Sequence, residues 1–182
     1  MSSWIRNVLI VFIAAAALAT GFFTSQWWRA PGPEGTEVAD FALTDLQGKE
    51  RWLSEWQGKI VVLNFWATWC TPCKEEIPLL MDAHKRHQKD GIEIVGIAID
   101  THEAVGAYAK QLRINYPLLV GDEAGLSLMS RYGNPRGALP YTVVLGVDGA
   151  ILAKKLGAYK KGELENLFSS LVKPLPATNM PR

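Results

Sequence analysis

The chain has 182 residues, 48% of them hydrophobic, with 19 Lys or Arg against 18 Asp or Glu. That length accommodates one globular domain with a proper core, plus an appendage. The charge balance provides neither the basic patch expected of a nucleic-acid binder nor an acidic, disordered tail, so no nucleic acid is expected as a partner.

The appendage comes first. Asn7 to Trp28 contains no ionisable residue, and Val8 to Phe23 is almost continuously apolar. With Trp4 and Ile5 this makes about the 20 residues that a helix needs to cross a bilayer core. Trp4 at one end and Trp27 and Trp28 at the other suit the two interfaces, where an indole is half wet. The rival is a cleaved signal peptide, because Ala17-Leu18-Ala19 is an acceptable cleavage site. Cleavage there would leave Phe22, Phe23, Trp27 and Trp28 on a soluble terminus with nothing to bury them, which favours the uncleaved anchor. Both readings export the rest of the chain. Arg6 and the terminal amine hold the short end in the cytoplasm, although Arg29 on the far side weakens that preference.

Residues 1–28 are thus expected as anchor or signal and 29–40, ending in APGPEGTEVAD, as a Pro- and Gly-rich tether. A globular domain follows over 41–173, then a tail over 174–182. FALTDLQGKERWLSEWQGK (41–59) predicts two short strands around Gln47-Gly48, then a polar loop. IVVLNFW (60–66), apolar on both faces except for Asn64, predicts a buried parallel strand. Ile77, Leu80, Met81 and His84 then recur at helical spacing, and Asp90-Gly91 ends that helix. IEIVGIAI (92–99) is a second buried strand, 102–112 a helix, YPLLV (116–120) a short strand and 123–132 a short helix. Residues 141–156 read as a hairpin turning at Asp148-Gly149, and Leu164, Leu167, Phe168 and Leu171 mark a closing helix. The pattern describes an α/β domain with a mixed central sheet covered on both faces.

The two cysteines of the chain, Cys70 and Cys73, sit where the first buried strand gives way to a helix. Three readings compete. A structural zinc site needs four ligands, whereas here one pair is accompanied by three histidines. His84 and His87 lie two to three turns further along the helix and cannot close on the same ion. His84 reads as core edge, and His87 and His102 as solvated, so no metal is expected. A structural staple suits an exported chain, but a bridge over two intervening residues constrains the unfolded state little. The third reading is redox exchange. Cys70 precedes a helix whose first turn holds Pro72, so its sulfur faces unpaired N–H groups and the positive end of the helix dipole, which stabilise a thiolate. Lys74 adds positive charge. Cys73, inside the helix, is expected to be sheltered and Cys70 exposed, an attacking thiol with its resolving partner.

FWATWCTPCKEEIP resembles the active-site segment of the thioredoxin superfamily, more narrowly its membrane-tethered, exported TlpA, ResA and CcmG-type branch. The resemblance covers about residues 37–172 and includes the opening FALTDLQGKE segment, expected as an N-terminal hairpin extension of a thioredoxin-like fold. A second match is GALPYTVVLGVDG (137–149). It implies that Pro140 is cis and faces the disulfide, and that the Leu139 backbone pairs with a bound substrate chain. Trp69, Thr71 and Pro72 complete the expected substrate-contacting set, with Trp69 as an apolar rim. Trp66 reads as core as readily as rim, and Pro78 as a packing bend in the helix.

Plain thioredoxins carry an aspartate at the place of Asn64 that moves protons for the buried thiol, which Asn64 cannot do. The branch instead implies a carboxylate at Glu76. If partly buried it would titrate high and act as acid or base for Cys73; otherwise it is a surface charge like Glu75. The resemblance implies a thiol:disulfide oxidoreductase whose redox-active Cys70–Cys73 disulfide needs no other cofactor. Its implied partners are disulfide-bearing exported proteins, such as apoproteins awaiting haem or copper, and a membrane thiol reductant. The implied location is the bacterial inner membrane, single-pass, with the domain in the periplasm, or soluble periplasmic after cleavage. A thiol peroxidase shares the fold but places its resolving cysteine elsewhere. A copper chaperone would use the thiols as soft ligands, but the chain lacks a Met-rich or His-rich cluster.

Overall fold

In the computed structural model, the structure describes Trp4 and residues 40–172. The rest of the expected anchor, most of the tether and the tail lie outside the described residues. Among the described residues no helix is long and apolar enough to cross a membrane.

Seven strands form one sheet. They are β1 (Ala42–Asp45), β2 (Glu50–Trp52), β3 (Ile60–Trp66), β4 (Ile92–Ala98), β5 (Leu118–Val120), β6 (Tyr141–Leu145) and β7 (Ile151–Leu156). Within residues 40–172 four α-helices accompany them: α1 (Thr71–His87), α2 (His102–Leu112), α3 (Asp122–Arg131) and α4 (Lys161–Val172). The sheet order is β2-β1-β5-β4-β3-β6-β7. β3 and β4 run parallel from Ile60↔Ile92 to Trp66↔Ala98, while β6 pairs antiparallel with β3. The sheet is therefore mixed, and β3 lies inside it, as a run apolar on both faces except at Asn64 leads one to expect.

Strand alternation divides β3 between two cores. Val62 and Trp66 point to one face, where Ile77 and Leu80 of α1, Val105 of α2 and Phe168 of α4 cover them. Val61, Leu63 and Phe65 point to the other, against Leu128 and Met129 of α3 and against Phe41, Leu43 and Trp56. Truncating a residue as buried as Ile77 to Ala would cost roughly 2–5 kcal/mol. Asn64 shares the α1 face and interrupts its apolar stripe.

Several local readings change. The segment after β2 is not a polar loop, because a short 3₁₀ turn, Leu53–Trp56, buries Trp56 at 4% exposure. The Arg51 guanidinium sits 5.3 Å over that indole. β5 starts at Leu118 rather than residue 116. Pro117 has no N–H for a ladder, and its carbonyl accepts from Gly96 N–H at 2.9 Å. The β6–β7 connection spans residues 146–150, wider than a tight two-residue turn, and is closed by Gly146 N–H donating to the Ala150 carbonyl. His84 lies at the core edge as expected, whereas His87 is more engaged than expected. His84 is 6% exposed and bonded to Glu93 at 2.8 Å. His87 stacks on Phe168 at 5.2 Å and meets Asp90 at 3.0 Å, so it is not a freely solvated side chain. His102 is exposed.

Candidate active site

The site begins where β3 runs out. Cys70 is the N-cap of α1, with extended backbone (φ −87°, ψ 105°), and its Sγ accepts the Cys73 backbone N–H at 3.3 Å. A sulfur thus occupies the place a Ser or Asp oxygen fills at ordinary helix starts, against otherwise unpaired donors. Pro72 in the first turn lacks an N–H and leaves no orphan of its own. Thr68 anchors the preceding loop, since its N–H and hydroxyl both donate to Asp100 just beyond β4. At the far end of α1, His84, Lys85, Arg86 and His87 suit its negative pole. Pro78 leaves the Lys74 carbonyl without its helical donor, and the ammonium of Lys74 lies 5.7 Å over the Tyr108 ring.

Cys70 and Cys73 form a disulfide with Cα atoms 5.3 Å apart. Cys73 is fully buried, and Cys70, expected to be exposed, is only 6% exposed. Bonded to Cys73 and packed into the α1-face core, its sulfur turns inward. The surface beside it is left to Trp69, 67% exposed, and to exposed Thr71 and Pro72. Trp66 is wholly core.

Glu76 stands one turn below Cys73 and has no solvent exposure, so it is not a surface charge. Asn64 Nδ2 donates to Glu76 Oε2 at 3.0 Å, and the Tyr159 backbone N–H donates to Oε1 at 2.7 Å. Asn64 Nδ2 also reaches Thr142 Oγ1 at 3.1 Å. Burial pushes the Glu76 carboxyl above its ordinary range, against the pull of those two N–H groups and of the Lys155 charge. A raised carboxyl of this kind is protonated over part of the range in which an ordinary one is ionised.

The Leu139–Pro140 peptide bond is cis. Leu139 is half-buried against the core cluster that holds both cysteines, and Pro140 is buried. Asn134 clamps the approach to this bond by donating to the Ala138 carbonyl at 2.7 Å. Gly157 N–H caps the Pro140 carbonyl at 2.9 Å. Asn134, Thr142 and the amides of Gly157 and Tyr159 were not foreseeable as site groups; register and loop closure bring them in. Among the described residues, no cluster of three or more His, Cys, Asp or Glu side chains could hold a metal ion.

Comparison with known proteins agrees with this geometry. Residues 35–154 match the AhpC/TSA family. The thiol-disulfide oxidoreductase ResA of Bacillus cereus is 32% identical over 169 residues, covering 91% of this chain and 94% of that one. A crystal structure of a thiol:disulfide interchange protein of the thioredoxin family from Chlorobium tepidum superposes with a TM-score of 0.66 at 26% identity, covering 73% of this chain and 93% of that chain. The pneumococcal exposed lipoprotein thioredoxin of Streptococcus pneumoniae gives a TM-score of 0.62 at 26% identity, over 73% of this chain and 100% of that chain. The fold is thioredoxin-like, and the chain belongs to the AhpC/TSA family and, within it, to the ResA-like thiol-disulfide oxidoreductases.

Proposed function

We propose that this oxidoreductase is exported and membrane-tethered, and that it reduces disulfides in other exported proteins through Cys70 and Cys73, with no further cofactor. The reading is carried by one observation: the cysteine pair opens α1 directly above a buried, solvent-free carboxyl, Glu76. In the dithiol form, the Cys70 thiolate attacks one sulfur of a client disulfide. A mixed disulfide forms and the first client sulfur leaves as thiolate. Cys73 then gives its proton to the Glu76 carboxylate and attacks Cys70 Sγ. The Cys70–Cys73 bond forms, the second client sulfur leaves, and two electrons have passed to the client. Protons from solvent and Glu76 neutralise the products. A membrane thiol reductant returns the enzyme to its dithiol form.

Trp69, Thr71 and Pro72 supply the exposed rim on which the client rests, and the Leu139 backbone beside Pro140 pairs with its chain. The apolar run Val8–Phe23 supports a single-pass anchor in the bacterial inner membrane with the domain in the periplasm; cleavage would leave it soluble there. The structural neighbour called an exposed lipoprotein accords with an exported setting. Suitable clients are apoproteins whose cysteines must be reduced before haem attachment or copper-site assembly.

Reduction of insulin disulfides, set against consumption of peroxide by the same reduced protein, tests the reading. Insulin reduction that needs both cysteines supports it. Rapid peroxide turnover with insulin untouched would replace it with a thiol peroxidase.

A further inference from the structure

A row of polar side chains crosses the sheet beneath Glu76. Asn64 of β3 stands opposite Thr142 of β6, and Thr142 stands opposite Lys155 of β7. Directly opposed residues of antiparallel strands project to the same face, so all three lie on the side that α1 covers. Asn64 already joins two members of this network, donating to Glu76 and to Thr142. Lys155 ends the row and is its one charged member.

The surroundings of Lys155 pull its ammonium in two directions. Outward, Nζ meets Glu163 Oε2 of α4 at 3.2 Å, a side chain 48% exposed. Inward, Nζ lies 5.0 Å over the ring of Tyr159, whose backbone N–H holds Glu76 Oε1 at 2.7 Å. Among the described residues, the titratable groups coupled to Glu76 are Tyr116 from the α2–β5 connection, Tyr159 from the β7–α4 connection and Lys155 from β7, with Cys73 three residues before it on α1. Burial pushes both phenols upward, and the charge of Glu76 adds to that. Neither phenol supplies positive charge at neutral pH. Among the described residues, Lys155 is the cation whose field reaches Glu76.

We infer that Lys155 is a positioning residue for the exchange reaction: its ammonium, shared with Glu163, sets the pH at which Glu76 can accept the Cys73 proton. This rests on the role of Glu76 as that acceptor. An opposite charge nearby favours the ionised carboxylate, so Lys155 keeps a solvent-free acid usable as a base near neutrality. Glu163 moderates the effect by drawing the ammonium outward. Lys155 touches neither sulfur nor client and acts through Glu76 alone.

The test is the pH profile of insulin-disulfide reduction between pH 4.5 and 8, with the Glu76 carboxyl followed by difference infrared spectroscopy. Lys155→Met should move the acid limb of the profile and the carboxyl titration upward by about half a unit or more. Glu163→Gln should move both downward, and Lys155→Arg should return them towards the starting position. In a Glu76→Gln background none of these changes should move the limb. Should both variants leave limb and titration in place while Glu76→Gln abolishes the limb, the role of Lys155 is overturned and that of Glu76 survives. Should Glu76→Gln itself leave the limb unchanged, the underlying reading fails and this one with it. Glu163 is half-exposed, so Glu163→Gln decides the matter even if Lys155→Met does not fold: no downward shift overturns it.

Discussion

Asn64 Nδ2 donates to Glu76 Oε2 at 3.0 Å, deep beneath the Cys70–Cys73 disulfide. The side-chain amide of Asn64 therefore orients the buried Glu76 carboxyl. Strand β3 contributes a holder, helix α1 contributes an acid, and neither role is visible from one residue alone.

Replacing Glu76 by Gln keeps the shape and one acceptor oxygen but removes the titrating group and sets an amide NH2 against one of the two donors, Asn64 Nδ2 or the Tyr159 amide. Exchange is expected to slow by about tenfold or more, within the range of general acid–base assistance, and the pH dependence should flatten between pH 5 and 9. Stopped-flow thiol–disulfide exchange measures both. Unchanged kinetics across that range would remove Glu76 from the mechanism.

The same group affects stability, with a definite sign. In the unfolded chain the carboxyl titrates near its ordinary 4.5, whereas burial holds it higher in the fold. Between those two values the folded protein binds a proton that the unfolded chain has lost. Its contribution therefore falls as pH rises from 4.5 through the raised folded value. Urea unfolding of the oxidised protein should show Glu76→Gln gaining on the wild type over that interval. A constant gap would mean that the carboxyl titrates normally.

Cys73 is fully buried, whereas Cys70 caps α1 next to exposed Trp69 and keeps the little exposure the pair has, so Cys70 is expected to attack first. Cys73→Ser should accumulate mixed disulfides through Cys70, recoverable by non-reducing electrophoresis and mass spectrometry, whereas Cys70→Ser should not. Trp69→Ala should weaken client capture while leaving the thermal unfolding midpoint nearly unchanged, since 67% of the residue is already in water.

Gly96 occupies the centre of the sheet, opposite Asn64. A Cβ there would come within 2.6 Å of Leu118 Cδ2 and 3.1 Å of Trp66 Nε1. Gly96→Ala should destabilise the fold by roughly 1–3 kcal/mol through overpacking, read from the denaturation midpoint.

Much of this architecture was legible in the sequence. The run IVVLNFW could only be a buried strand, and two cysteines at a strand–helix junction with Pro72 between them marked the reactive end. Glu76 was accessible only through resemblance, because helical spacing leaves open whether it faces core or water. Trp56 was missed since a tryptophan amid Ser, Glu and Gln carries no periodic signal. The Tyr159 amide, the Asn134 clamp and Lys155 depend on register and loop closure over long chain separations. A backbone N–H has no residue identity to read. His87 looked solvated because its stacking partner, Phe168, lies on a helix at the far end of the domain.

The most direct measurement is the alkylation rate of Cys70 in the reduced protein as a function of pH, with Cys73→Ser isolating the one thiol. A sulfur held at the start of α1 should react with a midpoint well below the ~8.5 of an ordinary cysteine. A midpoint at that ordinary value, or a thiol that resists alkylation altogether, would contradict the account.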